Sequence, residues 1–293
     1  MRIDLHAHST ASDGTTGPAE LMDLAVAAAL DVLALTDHDS AAGWATAAPR
    51  AAELGLTLVP GMEISTALAG VGVHLLAYLP DPGFEPFAAE LRRILDGRAG
   101  RLGRMLTQLR AAGVDVTEAD VRRRVGSAPA IGRPHVADAL VANGVVADRA
   151  EAFRRWLDPG RPGYLPRYAT PTPEMVRLVT AAGGAAVVAH PWGRGSRRVL
   201  DEEVLAELQV AGLVGIEVDH QDHGPADRTA LRAIAERLGL VVTGASDFHG
   251  AGKVDHDLGC NLTRPDQFHR LLAAAAANAA DSGRRVPAVV APA

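Results

Sequence analysis

The chain has 293 residues, 48% of them hydrophobic and 22% charged, which is enough apolar material to bury a substantial core and excludes disorder as the main state. Lys+Arg 29 against Asp+Glu 35 leaves a net charge of −6, which excludes the global basic field that would hold a protein on duplex DNA, so an anionic substrate has to be met by local cations. The single cysteine, Cys260, excludes an internal disulfide, and the opening MRIDLHAHSTASDG lacks the pattern of a signal peptide, so a cytoplasmic location is expected.

In chain order, the first 80 residues alternate strand-like runs (RIDLHAH, DVLALTDHD, LTLVPGMEIS, VGVHLLAYL) with helical ones (PAELMDLAVAAAL, AGWATAAPRAAELG), and Pro18 is placed to begin the first helix. Parallel strands with crossover helices are therefore expected. Residues 81–173 change to arginine-studded helical sequence with a Pro/Gly-rich exit, DPGRPGYLPRYATPTP, and read as an inserted helical subdomain. The strand rhythm returns in GAAVVAHP, AGLVGIEVDH and LGLVVTGASDFHG, so residues 1–80 and 174–293 are expected to form one discontinuous unit. The ending SGRRVPAVVAPA reads as a frayed tail. Seven strand-like runs fit an α/β barrel, somewhat short of eight strands, better than a doubly wound sheet. GxGxxG and the P-loop pattern are both absent, and the alanine-rich apolar stretches are too short and interrupted to cross a membrane. With three Tyr, three Trp and five Phe, a long base-stacking surface is not expected.

The histidines carry the chemistry. His6, His8, His38, His74, His190 and His249 each fall at or just past the end of an expected strand, and in a parallel barrel those ends open on one face. Asp13, Asp37, Glu63 and Asp247 accompany them. Imidazole with carboxylate is the donor set that suits Zn²⁺, Mn²⁺ or Fe²⁺, and H-x-H on a strand points both rings to one side. The donors exceed what one ion uses, so two or three divalent metal ions are expected.

The motifs DLHAHSTASDG, LALTDHDS, GMEIST…VHLLAY, AHP and GASDFH resemble, in order and over nearly the whole chain, those of the PHP (polymerase and histidinol phosphatase) family of metal-dependent phosphoesterases. The resemblance implies a distorted (β/α)7 barrel with metals at its C-terminal rim. It also implies one ion held by His6, His8, Glu63 and Asp247, a second by Glu63, His74 and His190, and a third by Asp13, His38 and His249, with Glu63 bridging. Many members have a histidine where this chain has Asp13, a change that favours a harder ion such as Mn²⁺ at the third position. Asp37 and Asp39 are expected to cap a turn or orient an imidazole rather than ligate. Cys260 is expected to be a buried structural thiol.

Clustered cations suit hydrolysis of a phosphate ester by an activated water. The rival chemistry on such barrels, a zinc amidohydrolase, usually bridges its metals with a lysine, whereas the only lysine here is Lys253 and the bridge position is Glu63. In the insertion, IGRPHVADAL places Arg133 and His135 beside Pro134 at a helix start, where Arg133 is expected to clamp a phosphate. Arg92, Arg93, Arg98, Arg101, Arg104 and Arg122 to Arg124 are expected on a solvated face.

GRPH, and RPGYLPR with Arg161 and Tyr164, resemble the PHP subgroup acting on nucleoside 3′,5′-bisphosphates and on the 5′ ends of short RNA. The resemblance implies His223 near a substrate phosphate. Arg194, just after His190, is a further candidate for substrate binding, beside Trp192. Glu63, Asp247, Arg133, His135 and His223 are thus the expected catalytic set. His220 is a weaker candidate, and His256 and His269 are assigned to the surface. The competing readings are a histidinol phosphatase and, from another class, a non-catalytic metal-binding or RNA-binding module.

Overall fold

The structure, a computed structural model, describes residues 1–126 and 128–291. Its centre is a curled sheet in the order β1-β2-β3-β4-β6-β7-β8, formed by β1 (Ile3–Ala7), β2 (Val32–Leu35), β3 (Thr57–Leu68), β4 (Val71–Tyr78), β6 (Ala185–Val188), β7 (Leu213–Asp219) and β8 (Val241–Gly244). The short β5 (Thr170–Pro171) pairs with β3. A parallel bridge between Ala7 and Phe248 brings the two ends of the sheet together, giving the distorted (β/α)7 barrel. The strands β1, β2, β6 and β8 are buried at every residue, and β2 (VLAL) and β6 (AAVV) are accordingly continuous apolar runs, whereas β1 carries Asp4 and His6.

One expectation fails at β4. It runs antiparallel to both β3 and β6, because β3 and β4 form a hairpin whose turn, Ala69-Gly70, has φ of +46° and +77°. Two left-handed residues make the tight turn that matches strand twist. His74 therefore lies within β4, opposite Ser65, and not at a strand end.

Helices α1 (Pro18–Ala27), α2 (Trp44–Leu54), α7 (Thr172–Ala181), α8 (Glu202–Val210), α9 (Pro225–Leu238) and α10 (Pro265–Ser282) cover the sheet. The intervening segment carries α3 (Glu85–Ala111), α4 (Glu118–Val125), α5 (Arg133–Ala142) and α6 (Arg149–Ala152), the last running into a π-helical turn, Phe153–Leu157. The long α3 joins two cores: Phe87, Leu91 and Ile94 pack with β3, β4 and α7, whereas Leu102, Met105, Leu106 and Leu109 pack with α4 and α5. The exit of the segment is tied back by Glu90, which accepts hydrogen bonds from Tyr168, Arg93 and Thr170. The helices between β4 and β5 thus have a core of their own, which α3 joins to that of the barrel.

Three local expectations are corrected. Arg98 and Arg101 are buried, 6% and 7% exposed, because α3 turns that face toward the barrel rim. The tail is not free as far as Val290, which pairs with Leu58 through both backbone groups. Cys260 is exposed, since the loop after β8 carries its thiol outward. No helix among the described residues is long and apolar enough to cross a membrane.

Close strand packing sets one stability test. A Cβ on Gly215 of β7 would lie 2.5 Å from the Val241 carbonyl oxygen, a backbone atom that cannot swing aside. Gly215→Ala is expected to lower unfolding free energy in urea by about 1–3 kcal/mol, the cost of overpacking; an unchanged midpoint would show that β7 and β8 separate freely here.

Candidate metal centre

β1 presents His6 and His8 from the same side of the strand and its exit, and both are fully buried. Their Nε2 atoms are 3.0 Å apart. Glu63 Oε2 from β3 lies 3.5 Å from His6 Nε2 and 3.2 Å from His8 Nε2, and Asp247 Oδ1, just beyond β8, lies 3.4 Å from each. Donor atoms this close together could face a single ion. Glu63 Oε2 and Asp247 Oδ1 are buried and have no hydrogen-bond partner, a costly state for carboxylate oxygens that a cation relieves. The donor set and the two orphaned oxygens fit a divalent ion.

Two further groups adjoin it. Glu63 Oε1 meets His74 Nδ1 at 2.7 Å and His190 Nε2 at 3.1 Å. On the other side, Asp13 meets His38 Nε2 at 3.5 Å and His249 Nε2 at 3.4 Å, with His8 Nδ1 at 3.7 Å. All nine residues expected as ligands are thus brought together, in three groups that share Glu63 and His8.

Burial opposes ionisation of Glu63, yet the His74, His38 and His6 rings hold its carboxyl well below the usual range. Burial likewise opposes the Asp247 carboxylate, but Lys253, His6 and Arg194 keep it ionised. For His8 burial disfavours the charge, while Asp247 and Glu63 accept from it and raise it to about 9. His38 is pushed down to about 3, chiefly by burial, so it is neutral and its lone pair is available.

A layer of supporting groups sets ring orientations. Glu217 of β7, fully buried, accepts from His6 Nδ1 at 3.1 Å, which leaves Nε2 to face the cage, and its other oxygen accepts from the His190 backbone N–H at 2.9 Å. Sequence reading passed over Glu217; a lone carboxylate within the apolar strand GIEVD was the available signal. Asp37 accepts from Ser9 and Ser12 in the loop that carries Asp13, and Asp39 accepts from the Ser65 N–H, so both orient the site without joining the three groups, as expected. Asp39, His190, Arg194 and Asp247 have φ of +53°, +30°, +53° and +53°. Such backbone costs about 1–3 kcal/mol per residue, and here it clusters at the rim.

The expected substrate residues divide. Arg133 lies at the start of α5, its guanidinium against the Phe153 and Tyr164 rings and donating to the Leu157 carbonyl. Arg194 donates to Asp247 Oδ2 at 2.6 Å, and Lys253 meets the same oxygen. His135 and His223 are buried with both ring nitrogens engaged by the backbone: His135 accepts from Gly132 N–H and donates to the Ser12 carbonyl, and His223 accepts from Trp192 N–H and donates to the Val218 carbonyl. Neither ring presents a free nitrogen, so in this arrangement both position loops. Trp192 packs in the loop, donating to the Leu200 carbonyl. His256, assigned to the surface, is instead buried, because its Nδ1 donates to the Ser246 carbonyl and draws the ring beside His220 and Asp247. His269 is exposed on α10. Arg149, not singled out from sequence, grips Asp138 with two nitrogens and donates to the Asp13 carbonyl at 3.2 Å, tying the insertion to the loop of the third group.

A curled α/β barrel with clustered imidazoles and carboxylates at its rim defines a metal-dependent hydrolase class. The PHP domain family model matches residues 4–105. The chain is 38% identical to a 3′,5′-nucleoside bisphosphate phosphatase of Chromobacterium violaceum over 88% of its length and 90% of the relative's. It is 32% identical to a 5′-3′ exoribonuclease of Haemophilus influenzae, covering 85% of this chain and 90% of that one. Among solved structures, a metal-dependent phosphoesterase of Bifidobacterium adolescentis superposes with a TM-score of 0.89 at 38% identity, covering 93% and 96% of the two chains. An amidohydrolase of Chromobacterium violaceum with bound sulfate superposes at 0.83 and 36% identity, covering 94% and 97%. The chain belongs to the PHP family of metal-dependent phosphoesterases and is a phosphate-ester hydrolase.

Because Asp247 and Glu63 raise His8 to about 9, the ring carries a proton near neutral pH that ligation would displace. Mn²⁺ binding is therefore expected to release protons and to tighten between pH 7 and 9, read by calorimetry in buffers of different ionisation enthalpy; pH-independent affinity would contradict this. Arg149→Met is expected to weaken one class of metal site by about 10- to 100-fold, the usual effect of losing an outer support, with the other sites retained in a metal titration.

Proposed function

We propose that the chain removes the 3′-phosphate of nucleoside 3′,5′-bisphosphates and degrades short RNA oligonucleotides from the 5′ end, as a cytoplasmic enzyme with two to three divalent ions, Mn²⁺ ahead of Zn²⁺ or Fe²⁺. The observation that carries this reading is the set of three donor groups, sharing Glu63 and His8, beside an insertion that starts a helix with Arg133. Similarity to the bisphosphate phosphatase and to the exoribonuclease along nearly the whole chain supports the substrate class. The exposed thiol of Cys260 supports a reducing compartment.

His6, His8, Glu63 and Asp247 would hold one ion, Glu63, His74 and His190 a second, and Asp13, His38 and His249 a third. When bound, such ions would supply positive charge to phosphoryl oxygens and acidify a water nucleophile. The protein's own contribution is geometric and electrostatic. Glu63 spans two groups and fixes their spacing, Arg194 projects a guanidinium over Asp247 where charge develops on phosphate, and Arg133 offers a planar fork to a second anion. Histidinol phosphate needs no second anion site, so the insertion's arginines favour the bisphosphate over that alternative.

Phosphate release from adenosine 3′,5′-bisphosphate and from histidinol phosphate, with Mn²⁺ and again after chelation, tests the proposal. Chelator-sensitive release from the bisphosphate alone is expected, and Glu63→Gln or Asp247→Asn should abolish it with reduced bound metal. Release from histidinol phosphate alone would replace the nucleotide reading, and no release from either would leave a metal-binding module.

A further inference from the structure

The strand β7 carries none of the nine expected donors, yet it supplies Glu217, which holds His6 and the His190 backbone. His220 follows directly on the end of the same strand and is fully buried. Its Nε2 lies 3.2 Å from Asp247 Oδ2. The other oxygen of that carboxylate, Oδ1, is the one that faces His6 and His8.

The second contact of the ring decides which nitrogen carries the proton. The Asp222 backbone N–H donates to His220 Nδ1 at 3.0 Å, so Nδ1 offers its lone pair and the proton sits on Nε2, which donates to Asp247 Oδ2. The ring is boxed in by the imidazoles of His190, His256 and His223, with centroids at 5.1, 5.5 and 5.9 Å. Its own carbonyl accepts from Arg228 Nη2 of α9 at 2.7 Å. Arg228 also donates to the His223 carbonyl and to Asn261 Oδ1, which pins the turn after β7.

Arg194 and Lys253 meet the same Asp247 oxygen, but their side chains are 40% and 23% exposed and reach it on long flexible stems. Of the three donors to Oδ2, His220 is the one that is wholly buried and held from behind. His220, Asp247 and His256 stand close enough together to share an ion. A cation is disfavoured there, because His220 Nε2 carries a proton instead of a lone pair and two cationic side chains already crowd Oδ2. Asp247 also has the left-handed φ of +53°, a conformation that persists only where its surroundings fix it.

We propose that His220 is a positioning residue that locks Asp247, so that Oδ1 alone is presented to the cage and Oδ2 stays engaged when Arg194 turns to a substrate. The assignment rests on the reading of Asp247 as a metal ligand. On this account β7 supplies no donor and orients those of its neighbours, Glu217 acting on His6 and His220 on Asp247.

Two polar substitutions separate the roles of the ring. His220→Asn keeps an acceptor near the Nδ1 position but falls short of Asp247, whereas His220→Gln places an amide N–H near the Nε2 position. Both are compared with wild type in the full chain by calorimetric Mn²⁺ titration, with urea midpoints as the control on folding. His220→Asn is expected to weaken, by about 10- to 100-fold, the same class of site that Asp247→Ala weakens, and His220→Gln to keep most of the affinity. In the Asp247→Ala background, His220→Asn should add little, because the contact it removes is already gone; a general packing role would add in full. Undiminished affinity in His220→Asn, equal losses in the Asn and Gln variants, or additive losses in the double variant would overturn the proposal. Unchanged Mn²⁺ binding in Asp247→Ala alone would instead remove Asp247 from the ligand set, and the proposal with it.

Discussion

Two carboxylate oxygens with no partner of their own, Glu63 Oε2 and Asp247 Oδ1, are the constraint around which the barrel rim is built. A buried, unsatisfied carboxylate costs several kcal/mol unless a cation meets it, so the surrounding structure has to hold such groups in place and keep them ionised. The histidines around Glu63 do the second task, and Arg194 and Lys253 do it for Asp247. The first task falls to the backbone. Asp247 and His190 are placed by left-handed conformations that ordinary residues avoid, and that strain persists because β1, β6 and β8 are buried on every side.

The same constraint explains why the insertion is not an optional lid. It reaches the rim at three points: His135 on the Ser12 carbonyl, Arg149 on the Asp13 carbonyl and Arg98 on Asp39. Each contact lands on a group that carries or borders a residue of the three candidate donor groups. The segment proposed to supply cations to a substrate therefore also holds the Asp13 loop.

Antiparallel β4 shows how such a centre departs from a regular parallel barrel. A hairpin between β3 and β4 places His74 opposite Ser65, two residues from Glu63, so that one strand pair delivers both partners of the shortest contact in the cage. A parallel crossover would have needed a helix of a dozen residues or more between them. The hairpin achieves the same proximity with Ala69 and Gly70 at the turn.

The candidate donors were legible from sequence because metal binding demands particular side chains, although Glu63 and His74 stand within β3 and β4 rather than at strand ends. His6, His8, Asp13, Glu63 and Asp247 could be named as candidate donors before any coordinate, as could the barrel. What the chain could not reveal was anything decided by which elements face each other. The burial of Arg98, Arg101 and His256, the exposure of Cys260, the pairing of Val290 with Leu58, and the roles of Glu217 and Arg149 all depend on contacts between segments far apart in sequence. An arginine on a helix reads as solvated until another element covers its face, and a histidine reads as a proton carrier until both its nitrogens are found on backbone partners, as in His135 and His223. Sequence by itself determined which atoms are available for chemistry, since that follows from residue type and local period; tertiary structure decided which of them remain free, since hydrogen bonding and burial are properties of the assembled chain.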